Sequence, residues 1–189
     1  MTTSNTPFGL KYHSGPIQLM AVQLTTSYGT ALYKGDCVCQ VTAGTYEQHT
    51  PGSGIDGVCW AFLRSDGMMA SYVPASDTTY TYKAIINVAQ DALYVVQEDG
   101  DSTALALTDM GNNCNLVYTH AGNTATGVSK MELNSDSKSA STTTLDCHLY
   151  GLADWTEPDG SATTFGTLAN AKYLVKIHYM KGGNLSAGV

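Results

Sequence analysis

The chain has 189 residues, a formal net charge of −7, and charged side chains at only 13% of its positions. That length can bury one core of fair size or at most two small lobes, and an acidic field with Arg64 as the sole arginine disfavours nucleic acid as a partner. No apolar run approaches the roughly 20 residues that cross a bilayer, so no membrane partner is expected, and Met1–Asn5 lacks the basic and apolar regions of a secretory leader, which points to synthesis in the cytoplasm.

Thr, Ser, Gly and Asn fill much of the remainder, as suits a β-protein whose outer faces carry hydroxyls more than ion pairs. The five cysteines (Cys37, Cys39, Cys59, Cys114 and Cys147) cannot all pair within one chain, and reduced thiols filling a core are the expectation. Residues 1–10 have neither a helical nor a strand period. They read as an N-terminal arm, with Phe8 either folded back on its own domain or set against a partner.

Ile17–Leu24 alternates imperfectly and is expected to be a half-buried strand with Ile17, Leu19 and Ala21 on one face. Ala31–Tyr33 and Asp36–Val41 resume the alternation around Gly35. Cys37 and Cys39 share a face of such a strand, and a metal reading would add His49 and Cys59, but Cys-x-Cys without a second paired motif lacks the spacing of a structural zinc site. No metal and no cofactor are expected. His49–Asp56 is a loop, because Pro51 and two glycines exclude regular structure. Gly57–Leu63 is apolar on both faces, and so is covered on both sides, by the fold or by a partner. Ser65-Asp66-Gly67 turns into Met68–Val73, and Pro74–Thr79 is a surface loop before Ala84–Val88.

Tyrosine is abundant, and Tyr72, Tyr80 and Tyr82 could form a platform for sugars; strand and interface packing is the other use of such residues. A strand over Ala92–Gln97 should end in a hairpin turn at Glu98-Asp99-Gly100-Asp101, where the carboxylates lack the spacing of a calcium loop. Thr108 or Asp109 can cap a brief helical turn that Gly111 or Asn112 ends, and Cys114–Tyr118 is the next strand. Gly122–Ser129 and Asn134–Thr144 read as polar loops around a short Lys130–Leu133 strand, with His120 solvated among them. In Leu145–Leu152, alternation puts Asp146 and His148 on one wet face. A catalytic reading would need a serine elbow that is missing from the sequence, so no enzymatic activity is expected. Ala153–Gly166 is an extended loop in which Trp155 plugs either the end of the body or a neighbour. Tyr173–Tyr179 alternates cleanly and closes a single domain spanning residues 11–180, followed by a Gly-rich tail over 181–189.

The ordered pieces Val96–Gly100, Thr108–Asn113, Ala121–Ser129, Met131–Ser135, Leu149–Leu152 and Asn170–Ile177 resemble the capsid decoration proteins of tailed bacteriophages, also called cement or head-stabilising proteins. A looser echo lies in Pro7–Leu10 and Tyr33–Val38, and Gln40–Tyr82 departs most from the pattern. The resemblance implies a protein of the virion, assembled in the host cytoplasm and bound to the outer surface of an icosahedral head. Its partners would be the major capsid protein and itself, as a dimer or trimer. Pro7, Phe8, Leu10 and Trp155 are the residues expected at the interface with the capsid or a neighbouring copy. The fold expected is mainly β, a small antiparallel barrel or sandwich with long loops; the alternative function is a virion-displayed module that binds glycans.

Overall fold

The computed structural model describes residues 5–101, 103–154, 165 and 170–179. The described chain is mainly β, and its strand ladders are antiparallel. In chain order the strands are β1 (Lys11–Ser14), β2 (Leu19–Gln23), β3 (Leu32–Tyr33), β4 (Cys37–Gln40), β5 (Tyr46–Gln48), β6 (Gly57–Arg64), β7 (Met69–Ala70) and β8 (Tyr72–Val73). They continue with β9 (Tyr82–Asn87), β10 (Leu93–Gln97), β11 (Asn113–Val117), β12 (Glu132–Ser139), β13 (Cys147–Leu152) and β14 (Lys172–Ile177).

Two large sheets result. The first runs β1-β10-β14-β13-β11-β12; the second runs β2-β9-β6-β4-β5, with β7 added to the far half of β6, while β3 and β8 pair separately. Neither sheet closes into a continuous ladder. Each is drawn together at one end by a single parallel bridge, Glu98 to Leu133 in the first and Leu24 to Tyr46 in the second.

The apolar side chains sort into two clusters. One fills the first sheet with Leu116, Leu133, Leu149, Tyr173 and Val175 and takes in Cys37 and Val58 from the second, together with Ile55 from the loop before β6. The other lies between the second sheet and the β3–β8 pair, around Leu32, Val38, Phe62 and Ile86. Strand β4 feeds both, since Cys37 enters one cluster and Val38 the other, and a strand buried on both faces reads as a continuous apolar run. All five cysteines are buried and free. Burial pushes the thiols of Cys37, Cys59 and Cys147 well above their ordinary range, as expected of packing groups rather than reactive ones.

Several expectations are corrected. Ile17 and Leu19 are about half exposed and Ala21 is exposed; the buried residues of this segment are Val22 and Leu24, because β2 is an edge strand whose other face is left open among the described residues. Glu98–Asp101 is not a hairpin: β10 is flanked by β1 and β14, and the chain after Gln97 leaves the ladder toward Leu133, whose carbonyl accepts the Asp99 N–H. The polar run after Leu133 is not a loop at its start, since β12 extends through Ser139 with a register shift opposite Asn113–Asn115. Its side chains are polar because β12 lies at a sheet edge, where solvent and neighbouring carboxylates satisfy them.

Candidate functional site: an apolar groove between the two sheets

Residues 5–10, expected as an arm, are tied to their own chain. The Thr6 N–H donates to Gln97 Oε1 at 3.0 Å, and Gln97 Nε2 donates to Asn5 Oδ1 at 3.0 Å. The Leu10 N–H donates to the Gly35 carbonyl, the Gly35 N–H to Cys59, and the Cys59 N–H to Asp36. This relay needs two glycines. A Cβ on Gly9 (φ +70°) would sit 2.5 Å from Ser129 Cβ, and one on Gly35 (φ +90°) would press on the Leu10 backbone at 3.2 Å.

Asp36 locks the relay from beneath. Its buried carboxylate accepts the Tyr33 N–H at 2.8 Å and the Ser129 hydroxyl at 2.5 Å, and burial raises its pKa to about 6. Above this floor opens a groove of about 660 Å³ lined by Phe8, Leu10, Tyr12, Val58, Trp60, Tyr94 and Val128, with Lys11 and Lys34 also in the lining.

Trp60 faces outward because the β6–β9 register shifts between Cys59 and Ala61, so strict alternation breaks at the tryptophan. Its indole is 39% exposed, and its centroid lies 5.6 Å from the Tyr12 ring, which meets Tyr94 edge-on at 6.3 Å. The polar ends of both tyrosines are satisfied away from the groove. Tyr12 donates to the Gly15 carbonyl at 2.6 Å, and the Tyr94 oxygen accepts from Asn87 Nδ2 at 3.0 Å. The groove therefore offers aromatic and aliphatic surface, the lining of an anchor site for a large apolar side chain.

Of the expected interface residues, Phe8 lines the groove half-buried and Pro7 precedes it, also half-buried. Leu10 lines its wall but belongs mostly to the core, at 3% exposure. Trp155 lies outside the described residues, as does the tail over 181–189. Trp60 was not among the expected residues. The signal that could have found it is a tryptophan in a strand apolar on both faces, where a bulge is one way to free a large ring.

The Asp146–His148 strand is organised differently from the expectation. Asp146 is not on a wet face: it is wholly buried, 2.9 Å from His49 Nε2, and its carboxylate also accepts the N–H groups of Gly52 at 3.1 Å and Leu116 at 2.8 Å. It braces the 49–52 loop against β11 and β13. His148 is set instead against Asn113 at 2.9 Å, and burial lowers its pKa. His120 is exposed, as expected, and its Nδ1 also sits 3.1 Å from a buried oxygen of Glu132.

The carboxylates of Glu98, Asp99 and Asp101 converge around the Ser135 hydroxyl, which lies 3.0, 3.3 and 3.0 Å from them. Burial raises Glu98 to about 7, so this acid holds its proton near neutrality.

The tyrosines proposed as a sugar platform have their faces engaged within the chain. Tyr72 stacks on Tyr33 at 5.4 Å, Tyr80 lies 4.1 Å beneath the Arg64 guanidinium, and Tyr82 is buried with its hydroxyl donating to Asp77 at 2.6 Å. No family model, curated protein or solved structure matches this chain.

Proposed function

We propose that this protein is a structural component of a tailed-phage virion, which binds the outer surface of the icosahedral head and holds neighbouring capsomers of the major capsid protein together. The observation that carries the reading is the groove, where Phe8 and Leu10 of the segment that resembles the decoration proteins meet Trp60 and Tyr12 on a rigid floor. Anchor sites of this kind dominate the energetics of protein interfaces. Lys11 and Lys34 beside it give an acidic chain a locally basic approach to an apolar segment flanked by carboxylates. Of the two scaffolds expected, the reading takes the sandwich, supported by Cys37 and Val58 of the second sheet packing into the core of the first.

The mechanism is thermodynamic linkage. A protein that binds only the assembled, expanded shell stabilises that state by RT ln(1 + [L]/Kd), about 3–4 kcal/mol per site when it is present at several hundred times Kd. Repeated over a lattice of equivalent sites, the term resists rupture by heat or by packaged DNA. The engaged rings of Tyr72, Tyr80 and Tyr82 offer no support to a glycan platform.

The test is to add the purified protein to parent heads that lack it and to measure co-sedimentation and the temperature at which the heads release DNA. Binding with a raised release temperature is expected, and Trp60→Ala should weaken both. Heads that ignore the protein, or that rupture at the same temperature with and without it, overturn the proposal.

A further inference from the structure

We infer that the edge of β2, unpaired among the described residues, pairs antiparallel with the same edge of a second copy, joining two second sheets into one continuous sheet across a two-fold axis. The backbone supplies the first reason. Gln18 accepts from the Val88 N–H and Leu24 donates to the Tyr82 carbonyl, so the even-numbered residues bond β9. In an antiparallel ladder the alternate residues then direct their groups outward, and Leu19, Ala21 and Gln23 present a row of N–H and C=O groups at the edge. The row ends at Thr25, whose N–H donates to the Tyr46 carbonyl at 3.1 Å.

The second reason is that this edge lacks the protection the others carry. Strand β1 has Lys11 and a register shift, β5 has only three residues with Glu47 at its centre, and β12 carries Glu132, Asp136 and Lys138 and a register shift against β11. Strand β2 pairs with β9 without a shift and displays Leu19 and Met20, with Ile17 just before it, at 50%, 41% and 51% exposure. A straight, apolar, uncharged edge is the kind that folded proteins leave only where something pairs with it.

The occupant follows from charge and symmetry. From Tyr12 to Tyr33 there is no Asp, Glu, Lys or Arg, and the charged side chain on the paired stretch of β9 is Lys83, opposite Gln23, so two molecules of net charge −7 can meet here without bringing carboxylates of these strands together. A strand meeting itself about a two-fold axis is self-complementary by construction. The Gln18 N–H points to Asn87 Oδ1, so the Ile17 carbonyl of the same peptide points outward and extends the row; the register that engages Ile17 to Gln23 and leaves Thr25 with Tyr46 sets Ile17 of each copy opposite Gln23 of the other and Leu19 opposite Ala21. That places the two Met20 side chains against each other across the axis.

The inference deepens the dimer or trimer expected from the sequence but is tested on the free protein, so its failure leaves shell binding standing. Sedimentation velocity of the full chain over the micromolar range should show a concentration-dependent dimer. Ala21→Pro removes an outward donor without touching the β9 ladder, and Leu19→Lys adds a charge to the rail; each should leave a monomer with an unchanged circular dichroism spectrum. Met20→Cys should form a disulfide-linked dimer under mild oxidation. A wild type that stays monomeric, a trimer, or a dimer that persists in the Leu19→Lys chain overturns the inference.

Discussion

The two large sheets differ in how they handle polarity. The first sheet and its approaches bury Gln97, Glu98, Asn113, Glu132, Ser135, Asp146 and Lys172 and expose Tyr150, whereas the second buries Asp36 and Asn87 and leaves Ile17, Leu19, Met20, Trp60, Met68 and Met69 in solvent. A buried carboxylate is tolerated only when several donors converge on it, which makes the first sheet depend on contacts between segments far apart in sequence. Exposed apolar surface costs little until a partner covers it, so the second sheet carries the surface suited to association. The contrast suits a protein whose one half fixes its shape while the other makes contacts.

The largest effect expected is on the first sheet. Asp146→Ala leaves His49 and the N–H groups of Gly52 and Leu116 buried without their acceptor, and loss of such a hub costs about 3–5 kcal/mol. Urea unfolding should show the midpoint collapse. If the loss is below 1 kcal/mol, by order of magnitude, the carboxylate is not the brace described. In the second sheet the matching lesion is apolar. Phe62 is wholly buried, and Phe62→Ala should cost about 3–4 kcal/mol through lost transfer energy and the cavity left behind.

A pH profile sharpens the comparison at the next level. Asp36 is raised from 3.8 to about 6 and Glu98 from 4.5 to about 7, in both cases mainly by burial. Between pH ~4 and ~7 the folded chain therefore holds protons that the unfolded chain has released, and stability must fall as pH rises through that window. For Asp36 the full loss is about 3 kcal/mol by the usual conversion of a shift of about two pH units. His148, lowered by burial, works in the opposite sense. The clean measurement is the difference between wild type and Glu98→Gln. The variant should lose the part of the decline that lies between about pH 6 and 7, above the range Asp36 spans, and parallel profiles would show that Glu98 does not carry it.

How much of this was legible depends on whether a residue's partners are local. Tyr173, Val175 and Ile177 show a clean alternation because one face of β14 meets the core and the other does not. The apolar run of β6 was readable because it lies between two clusters, yet its bulge was not: Cys59 and Phe62, which strict alternation would put on opposite faces, both enter the second cluster. Gly100 does take the left-handed backbone that the Asp-Gly pair signals, at φ +72°, but that does not say which strand comes next. Asp146 was misplaced because His49 is 97 residues away, and no spacing rule reports such a contact. The groove was half visible, through Phe8 and Leu10; Trp60 joined it through a register shift that only the paired strands reveal.

The smallest effect on stability should accompany the largest effect on association. Trp60 keeps 39% of its surface in solvent and packs mainly on Tyr12, so Trp60→Ala forfeits partial burial and an aromatic pair, about 1–2 kcal/mol in the free protein. The same ring, covered by a partner, would act as an interface anchor, where truncation costs 2 kcal/mol or more of binding, roughly a thirtyfold loss of affinity. Chemical denaturation and head co-sedimentation, measured on the same preparation, separate the two. A variant that remains folded at the working temperature but no longer saturates heads places the binding energy in the groove. One that binds as well as wild type moves the shell-facing surface elsewhere on the second sheet, to Met68 and Met69 on the β6–β7 hairpin, which are exposed on the same sheet.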